Sequence, residues 1–112
     1  MSNIKGACVF RNDGDGCLSS KYVNEHTSPF GETCKLLPES RSPDSHDVFE
    51  GQYNTAWLQS TVDPPFHAML TIVPDPLGFY KLTWFQPGTS KVIYSGIGML
   101  YNGLLTCGYW SA

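Results

Sequence analysis

Alternation of apolar and polar residues with a period of two is the strongest structural signal in this chain. It occurs in four short runs between Phe66 and Trp110, separated by turn sequences rich in Gly, Pro and Asn. A period of two places apolar side chains on one face of an extended strand, so these runs predict four β-strands. Asn102-Gly103, between the last two runs, is typical of a tight hairpin because both residues tolerate positive φ. The pattern therefore predicts an antiparallel meander.

The 112 residues correspond to one domain whose two parts differ in character. A fifth strand is predicted from Gly51, so residues 50–112 form the core strand meander. Residues 1–49 are predicted to form a weak hairpin, followed by a long polar connection over residues 24–48. The first 50 residues hold four aromatic residues and the rest hold eleven. We expect an all-β protein whose strands close into a small barrel, because closure removes exposed strand edges.

Charge and hydropathy argue against several classes of partner. The net charge of −3 at pH 7 disfavours nucleic-acid binding, which needs Lys and Arg to neutralise phosphates. No run of about 18 apolar residues is present, so we expect no membrane-spanning segment. The first residues lack the apolar region of a secretory signal, and a cytoplasmic location is therefore expected.

Cysteine and histidine spacing does not point to a metal or a cofactor, and we predict neither. The four cysteines show no C-x-x-C spacing, and the three histidines form no H-x-H or H-x-x-x-H pair. Cys8 and Cys17 would face each other if Asn12-Asp13 formed the first turn, whereas a turn at Asp13-Gly14 would shift that register by one. In the absence of an export signal, four free thiols are the expected state.

Polar-tipped aromatic residues are the main functional signal. Many of them fall on the face that the alternation assigns to the barrel interior, where Trp N–H and Tyr O–H groups need hydrogen-bond partners. Several such groups converging in a barrel would form a pocket with apolar walls and a few orienting polar groups. We predict a site for a small apolar or aromatic ligand, with the binding residues Tyr53, Trp57, Tyr80, Trp84, Tyr94 and Tyr109.

Two other functions are compatible with the same pattern. A barrel enzyme of the cyclase or isomerase class would use Tyr94 or Tyr109, together with Cys107, as proton donors or electrophilic contacts. A protein-interaction module would use Phe79 and Phe85 as anchors on the outer face. Five strands are few for a ligand-sized barrel, which typically takes about eight, so the N-terminal hairpin or a second copy must supply the rest. We expect a homodimer with the Phe79–Phe85 face at its interface.

Spaced aromatic and glycine residues between residues 50 and 110 resemble a group of small bacterial proteins with lipocalin- or avidin-like barrels. Some of these carry the label "fibronectin-binding". The resemblance rests on Gly51-x-Tyr53, Phe66-x-Ala68-x-Leu70-x-Ile72, Gly78-x-Tyr80-x-Leu82-x-Trp84, Tyr94-x-Gly96-x-Gly98 and Leu105-x-Cys107-Gly108-Tyr109. It implies a closed, calycin-like barrel with a small apolar interior, and it implies no defined ligand. Residues 1–49 depart from the group, since a cysteine-bearing, proline-interrupted region replaces a recognisable first set of strands.

Overall fold

The computed structural model describes residues 3–58 and 61–112. Within them, eight antiparallel strands form one closed barrel, in which each strand pairs with the next and the last pairs with the first. The strands are β1 (Lys5–Gly14), β2 (Cys17–Asn24), β3 (Thr27–Leu36), β4 (Gly51–Trp57), β5 (Phe66–Pro74), β6 (Tyr80–Phe85), β7 (Val92–Tyr101) and β8 (Leu104–Ser111). The described residues contain no helix that is long and apolar enough to cross a membrane. The predicted all-β barrel is confirmed.

The predicted strand faces and the predicted final turn are also confirmed. Tyr80, Leu82 and Trp84 are all buried, so the β6 face with the clearest apolar alternation points into the barrel. Asn102 and Gly103 have φ values of 52° and 77°, and together they form the turn between β7 and β8. Positive φ at both positions is what an Asn-Gly hairpin turn requires.

β3 lies inside the segment predicted to be a polar connection, so that prediction is wrong for Thr27–Leu36. This strand pairs with β2 on one side and β4 on the other, and the ring would not close without it. Its buried positions include Glu32 and Cys34, which do not produce an apolar alternation. Pro29 lies near an irregularity in the pairing with β2, where a missing N–H group is tolerated. The true connection is residues 37–50, with a short 3-10 helix at Pro38–Ser40.

The first hairpin turns later in the chain than either predicted position. Its turn is Asp15-Gly16, whose φ values of 54° and 76° are the positive angles that such a two-residue turn needs. In this register Cys8 faces Tyr22 of β2 and not Cys17. All four cysteines are free thiols, as expected.

A single chain closes the barrel. β1 pairs with β8, with Lys5 opposite Trp110, so each of the eight strands has a partner on both sides. Because the closed barrel has no unpaired strand edge, one of the two reasons for expecting a homodimer does not apply. The homodimer itself stays a prediction. Phe79 precedes β6 and Phe85 ends it, and both side chains are half-buried on the barrel.

The two ends of the barrel differ in what covers them. We call the end that carries the β2–β3 and β6–β7 turns the open end. The opposite end carries the connection of residues 37–50, and we call it the closed end. Phe49 of that connection is 2% exposed and belongs to the core, so the connection acts as a plug in the closed end.

Candidate functional site

A cavity of about 300 Å³ enters the barrel at the open end. Seven strands contribute described side chains to its lining, so the cavity lies within the barrel and not between neighbouring loops. Aromatic rings form most of the wall, and they belong to Tyr22, Trp57, Trp84, Tyr94 and Tyr109. The lining also includes Glu32, which lies deeper along β3 than Thr27 at the rim.

Four of these rings pack against one another where they line the cavity. Tyr94 is perpendicular to Tyr109, with an interplanar angle of 89° and ring centroids 5.6 Å apart. It is also perpendicular to Trp84, at 88° and 6.4 Å, and it meets Trp57 at 66° and 6.2 Å. Edge-to-face packing of this kind is favourable for aromatic pairs, so the rings hold one another in place.

Glycines on neighbouring strands make room for two of the rings. A Cβ atom at Gly6 would lie 2.5 Å from Cζ of Tyr109, and one at Gly96 would lie 3.2 Å from Cζ3 of Trp84. The first distance is far inside van der Waals contact, so the position of Tyr109 depends on glycine at residue 6. The ring positions in the cavity are therefore set by backbone approach as well as by ring packing.

Glu32 is a buried carboxyl group in the cavity lining and is 4% exposed. Its Oε2 accepts hydrogen bonds from Thr55 Oγ1 at 2.5 Å and from Trp84 Nε1 at 3.1 Å. Burial raises the pKa of this carboxyl, although hydrogen bonds from Thr55, Trp84 and Ser20 act in the opposite direction. Across residues 3–58 and 61–112, no Lys, Arg or His side chain forms an ion pair with it. The carboxyl is thus held by neutral donors.

Hydrogen-bonding groups surround the rim of the cavity. Asn24 Nδ2 donates to the Tyr109 hydroxyl oxygen at 3.1 Å, and the Tyr22 hydroxyl donates to the Leu58 carbonyl. Thr27 Oγ1 is buried and has no hydrogen-bond partner in the described part of the chain. A buried hydroxyl without a partner is uncommon, because leaving it unpaired costs about 1–3 kcal/mol.

Burial keeps the hydroxyl and thiol groups of the cavity protonated. It raises the pKa of Tyr22 to about 12, and it also raises the pKa of Tyr94 and of Tyr109. Two effects raise the pKa of the Cys8 thiol: the larger is a hydrogen bond with Cys107, and the second is burial. Tyr22 and Tyr109 already donate their hydroxyl protons to the Leu58 and Val23 carbonyl groups. The Tyr94 hydroxyl donates to no other described residue and can donate to a ligand, whereas a thiolate nucleophile at Cys8 is disfavoured.

The closed end uses tyrosines for a different purpose. Tyr53 donates a hydrogen bond to the Phe49 carbonyl at 2.9 Å and accepts one from Arg41 Nη2 at 3.0 Å. Tyr80 donates to Asp47 Oδ2 at 2.6 Å. Arg41 donates to two further carbonyl groups of the same connection. Both tyrosines therefore hold the plug, and their hydroxyl groups are engaged by the protein itself.

The six residues predicted to bind a ligand are divided between the two ends of the barrel. The structure brings Trp57, Trp84, Tyr94 and Tyr109 together around the cavity, and it places Tyr53 and Tyr80 at the closed end. Cys107 is buried opposite Cys8, and of these two cysteines Cys8 contributes to the lining.

Sequence reasoning missed Glu32, Tyr22 and Asn24 as cavity residues. Glu32 was assigned to a solvated connection, since a lone glutamate in a polar segment resembles an exposed side chain. Tyr22 and Asn24 both lie on β2. The sequence places Tyr22 in the weak hairpin and Asn24 in the polar connection of residues 24–48. Closure of the barrel through β2 and β3 is what brings all three to the interior.

Comparisons of the chain with known protein families, with curated proteins and with solved structures give no match. No group of three or more His, Cys, Asp or Glu side chains within the described ranges is placed to hold a metal ion. The functional argument therefore rests on the barrel and on the chemistry of its cavity.

Proposed function

We propose that this protein is a small-molecule-binding, calycin-like β-barrel whose ligand occupies the cavity at the open end. The supporting observation is a cavity of about 300 Å³ that is lined by five aromatic side chains and by a buried carboxyl group. Ligand cavities typically measure about 300–1,000 Å³ and are mostly apolar, with a few polar groups that fix orientation. A cavity at the lower end of this range favours a ligand with one or two rings.

Preorganisation of the walls also supports ligand binding. Trp84 is held by the hydrogen bond from its Nε1 to Glu32 and by ring contacts with Tyr94 and Tyr109. Side chains that are already fixed lose little rotamer freedom when a ligand binds, and this lowers the entropic cost of binding. Trp110 lies exposed on the outer side of β8, so it serves as a reference tryptophan outside the cavity in the same protein.

Nuclear magnetic resonance of the three tryptophan indole N–H groups tests this proposal. A panel of one-ring and two-ring aromatic fragments would be titrated into ¹⁵N-labelled protein, with signals assigned from single Trp→Phe variants. We expect saturable shifts at Trp57 and Trp84, because their rings line the cavity, and no shift at Trp110. Tyr94→Ala should weaken binding by removing a wall, whereas Tyr80→Phe at the closed end should not.

Two results would contradict the proposal. One is a panel in which no compound produces a saturable shift at the two cavity tryptophans. The other is a set of shifts that includes Trp110 equally, since that pattern indicates adsorption to the outer surface.

A barrel enzyme of the cyclase or isomerase class is a second candidate, and one observation favours it. Glu32 has a raised pKa and lies in the cavity, which are the properties of a general acid. Tyr94 and Tyr109 would then orient the substrate through their hydroxyl groups. Conversion of a bound fragment, lost in Glu32→Gln while binding is retained, would favour the enzyme over a binding protein.

A further inference from the structure

The aromatic rings and the carboxyl group of the cavity together indicate the class of ligand, provided that the proposed binding function holds. Trp57, Trp84, Tyr94 and Tyr109 pack at steep angles and line the same cavity. The faces of aromatic rings carry negative potential, so a cation placed among several rings is attracted to them. Tryptophan provides the strongest interaction of this type, and two of the four rings are tryptophans.

The charged groups of the cavity are arranged for a cation and against an anion. Among the described residues that line it, none is Lys or Arg, and Glu32 is the carboxyl group. A ligand carboxylate or phosphate would therefore meet Glu32 and the ring faces without a cationic partner. An ammonium group would meet an acceptor oxygen and would supply the countercharge that Glu32 lacks within the described chain.

We infer that the cavity binds a small organic ammonium ion, with its N–H groups directed at the Glu32 carboxylate and its carbon body against the aromatic rings. The unpartnered Thr27 hydroxyl at the rim is a second polar contact for such a ligand. The geometry on which this rests is the placement of one buried carboxyl group beside four aromatic rings that line the same cavity. An alkylammonium or arylalkylammonium ion of about one ring fits the volume.

Binding of this cation to protein in which Glu32 is neutral requires the carboxyl proton to leave. Because burial raises the pKa of Glu32, part of the free protein carries the neutral carboxyl in the range above its ordinary value of 4.5. Binding of R–NH₃⁺ to that form gives the pair of R–NH₃⁺ and carboxylate, and the carboxyl proton passes to solvent. Affinity should therefore rise with pH until Glu32 is ionised in the free protein, by up to about tenfold per pH unit.

Other titratable groups that face Glu32 or the cavity stay neutral or can be tested separately. The thiols of Cys8 and Cys34 and the phenols of Tyr22, Tyr94 and Tyr109 all have pKa values raised by their surroundings, so they remain protonated near neutrality. His26 also lines the cavity, so His26→Asn serves as the control for its contribution.

Three probes of similar shape and different charge test the inference. 2-Phenylethylamine, 2-phenylethanol and 3-phenylpropionate would each be titrated by calorimetry, in two buffers that differ in protonation enthalpy. We expect the amine to bind at least about tenfold more tightly than the alcohol, and the carboxylate to bind most weakly. The buffer dependence should report release of up to about one proton for the amine and none for the alcohol.

Glu32→Gln and Glu25→Gln form the matched pair of variants. Glutamine at residue 32 keeps a carbonyl oxygen for the Thr55 and Trp84 donors, so the fold should be retained. We expect Glu32→Gln to lose roughly tenfold or more in amine affinity, together with its pH dependence, and to bind the alcohol as before. Glu25 is exposed and accepts a hydrogen bond from the Lys5 backbone N–H. Glu25→Gln should therefore change neither the amine affinity nor its pH dependence.

The results separate the ligand class from the binding function. Alcohol or carboxylate binding that equals amine binding would overturn the ammonium assignment and leave a ligand-binding barrel. Amine binding that is unchanged in Glu32→Gln would also overturn it. Absence of binding for all three probes, with no indole shift at Trp57 or Trp84, would overturn both proposals.

Discussion

The two ends of this barrel are built from similar aromatic residues and yet serve different purposes. At the closed end, Tyr53 and Tyr80 direct their hydroxyl groups at the backbone and side chains of the connection. At the open end, Tyr94 and Tyr109 line a cavity beside a buried carboxyl group. The difference lies in what covers each end, since residues 37–50 fill one end and the cavity opens at the other.

This contrast shows that an inward-facing tyrosine is not in itself a sign of a binding site. What distinguishes the two groups is the fate of their polar atoms. The plug provides hydrogen-bond partners for the tyrosine hydroxyl groups at its end and buries Phe49 in the core. The closed end therefore contributes to the stability of the fold. The lining of the cavity retains an unpartnered Thr27 hydroxyl and a carboxyl without an ion pair in the described residues, and this is the difference on which the proposed ligand binding rests.

The largest predicted effect compares two phenylalanines from the two ends. Phe49→Ala should lower the free energy of unfolding by about 3–5 kcal/mol, because it removes a fully buried ring and leaves a void under the plug. Phe66 lies near the open end, stacks on Trp57 and is 41% exposed, so Phe66→Ala should cost less than about 2 kcal/mol. Denaturant unfolding of both variants measures the difference. Equal losses would remove the distinction between the ends.

The second prediction concerns stability as a function of pH. Because the pKa of Glu32 is raised in the folded state, folded protein holds this proton more tightly than unfolded protein does. Its contribution therefore falls as pH rises above 4.5, by up to about 1.4 kcal/mol per pH unit, and becomes constant once pH exceeds the folded pKa. The difference in unfolding free energy between wild type and Glu32→Gln should follow this course.

That difference profile isolates Glu32 from other carboxyl groups. Asp13 and Glu25 have lowered pKa values, so their contributions rise with pH and are present in both proteins. A difference that does not vary with pH would show that Glu32 titrates normally and is exposed to solvent.

The smallest predicted effect comes from removing only the hydroxyl group of a tyrosine at each end. Tyr80→Phe removes the hydrogen bond to Asp47 and should lower the free energy of unfolding by about 1–2 kcal/mol. The Tyr94 hydroxyl lines the cavity and forms no hydrogen bond to another described residue, so Tyr94→Phe should change stability by less than about 0.5 kcal/mol. Thermal unfolding of the two variants in parallel checks this order, and a larger loss in Tyr94→Phe would reverse the assignment of the ends.

The sequence predicts the second half of the barrel because its interior positions are apolar. β4 to β8 all follow the period of two, and Trp84 is buried as that period predicts. β3 escapes prediction because its interior positions include Glu32, and because Pro29 argues against a strand. A buried carboxyl group inside a barrel thus removes the apolar alternation by which its own strand would be recognised.

The sequence predicts which face of each strand the candidate site residues occupy, but it does not predict at which end of the barrel they lie. Alternation shows that Tyr53, Tyr80, Tyr94 and Tyr109 point inward, and the structure agrees. It carries no information on which end a distant connection will fill, since that depends on tertiary contacts such as those of Arg41. Two of the six predicted ligand residues, Tyr53 and Tyr80, therefore hydrogen-bond to the plug and do not line the cavity.

Closure between β1 and β8 also has a kinetic consequence. Every other ladder joins consecutive strands, whereas this one pairs Lys5 with Trp110. The entropy of bringing two segments together rises with the length of chain between them, so we expect this seam to form last during folding. Cys8 of β1 and Tyr109 of β8 lie on the two sides of the seam, and both line the cavity. The cavity is then completed by the final step of folding, and a ligand of the proposed kind should slow the reopening of the seam.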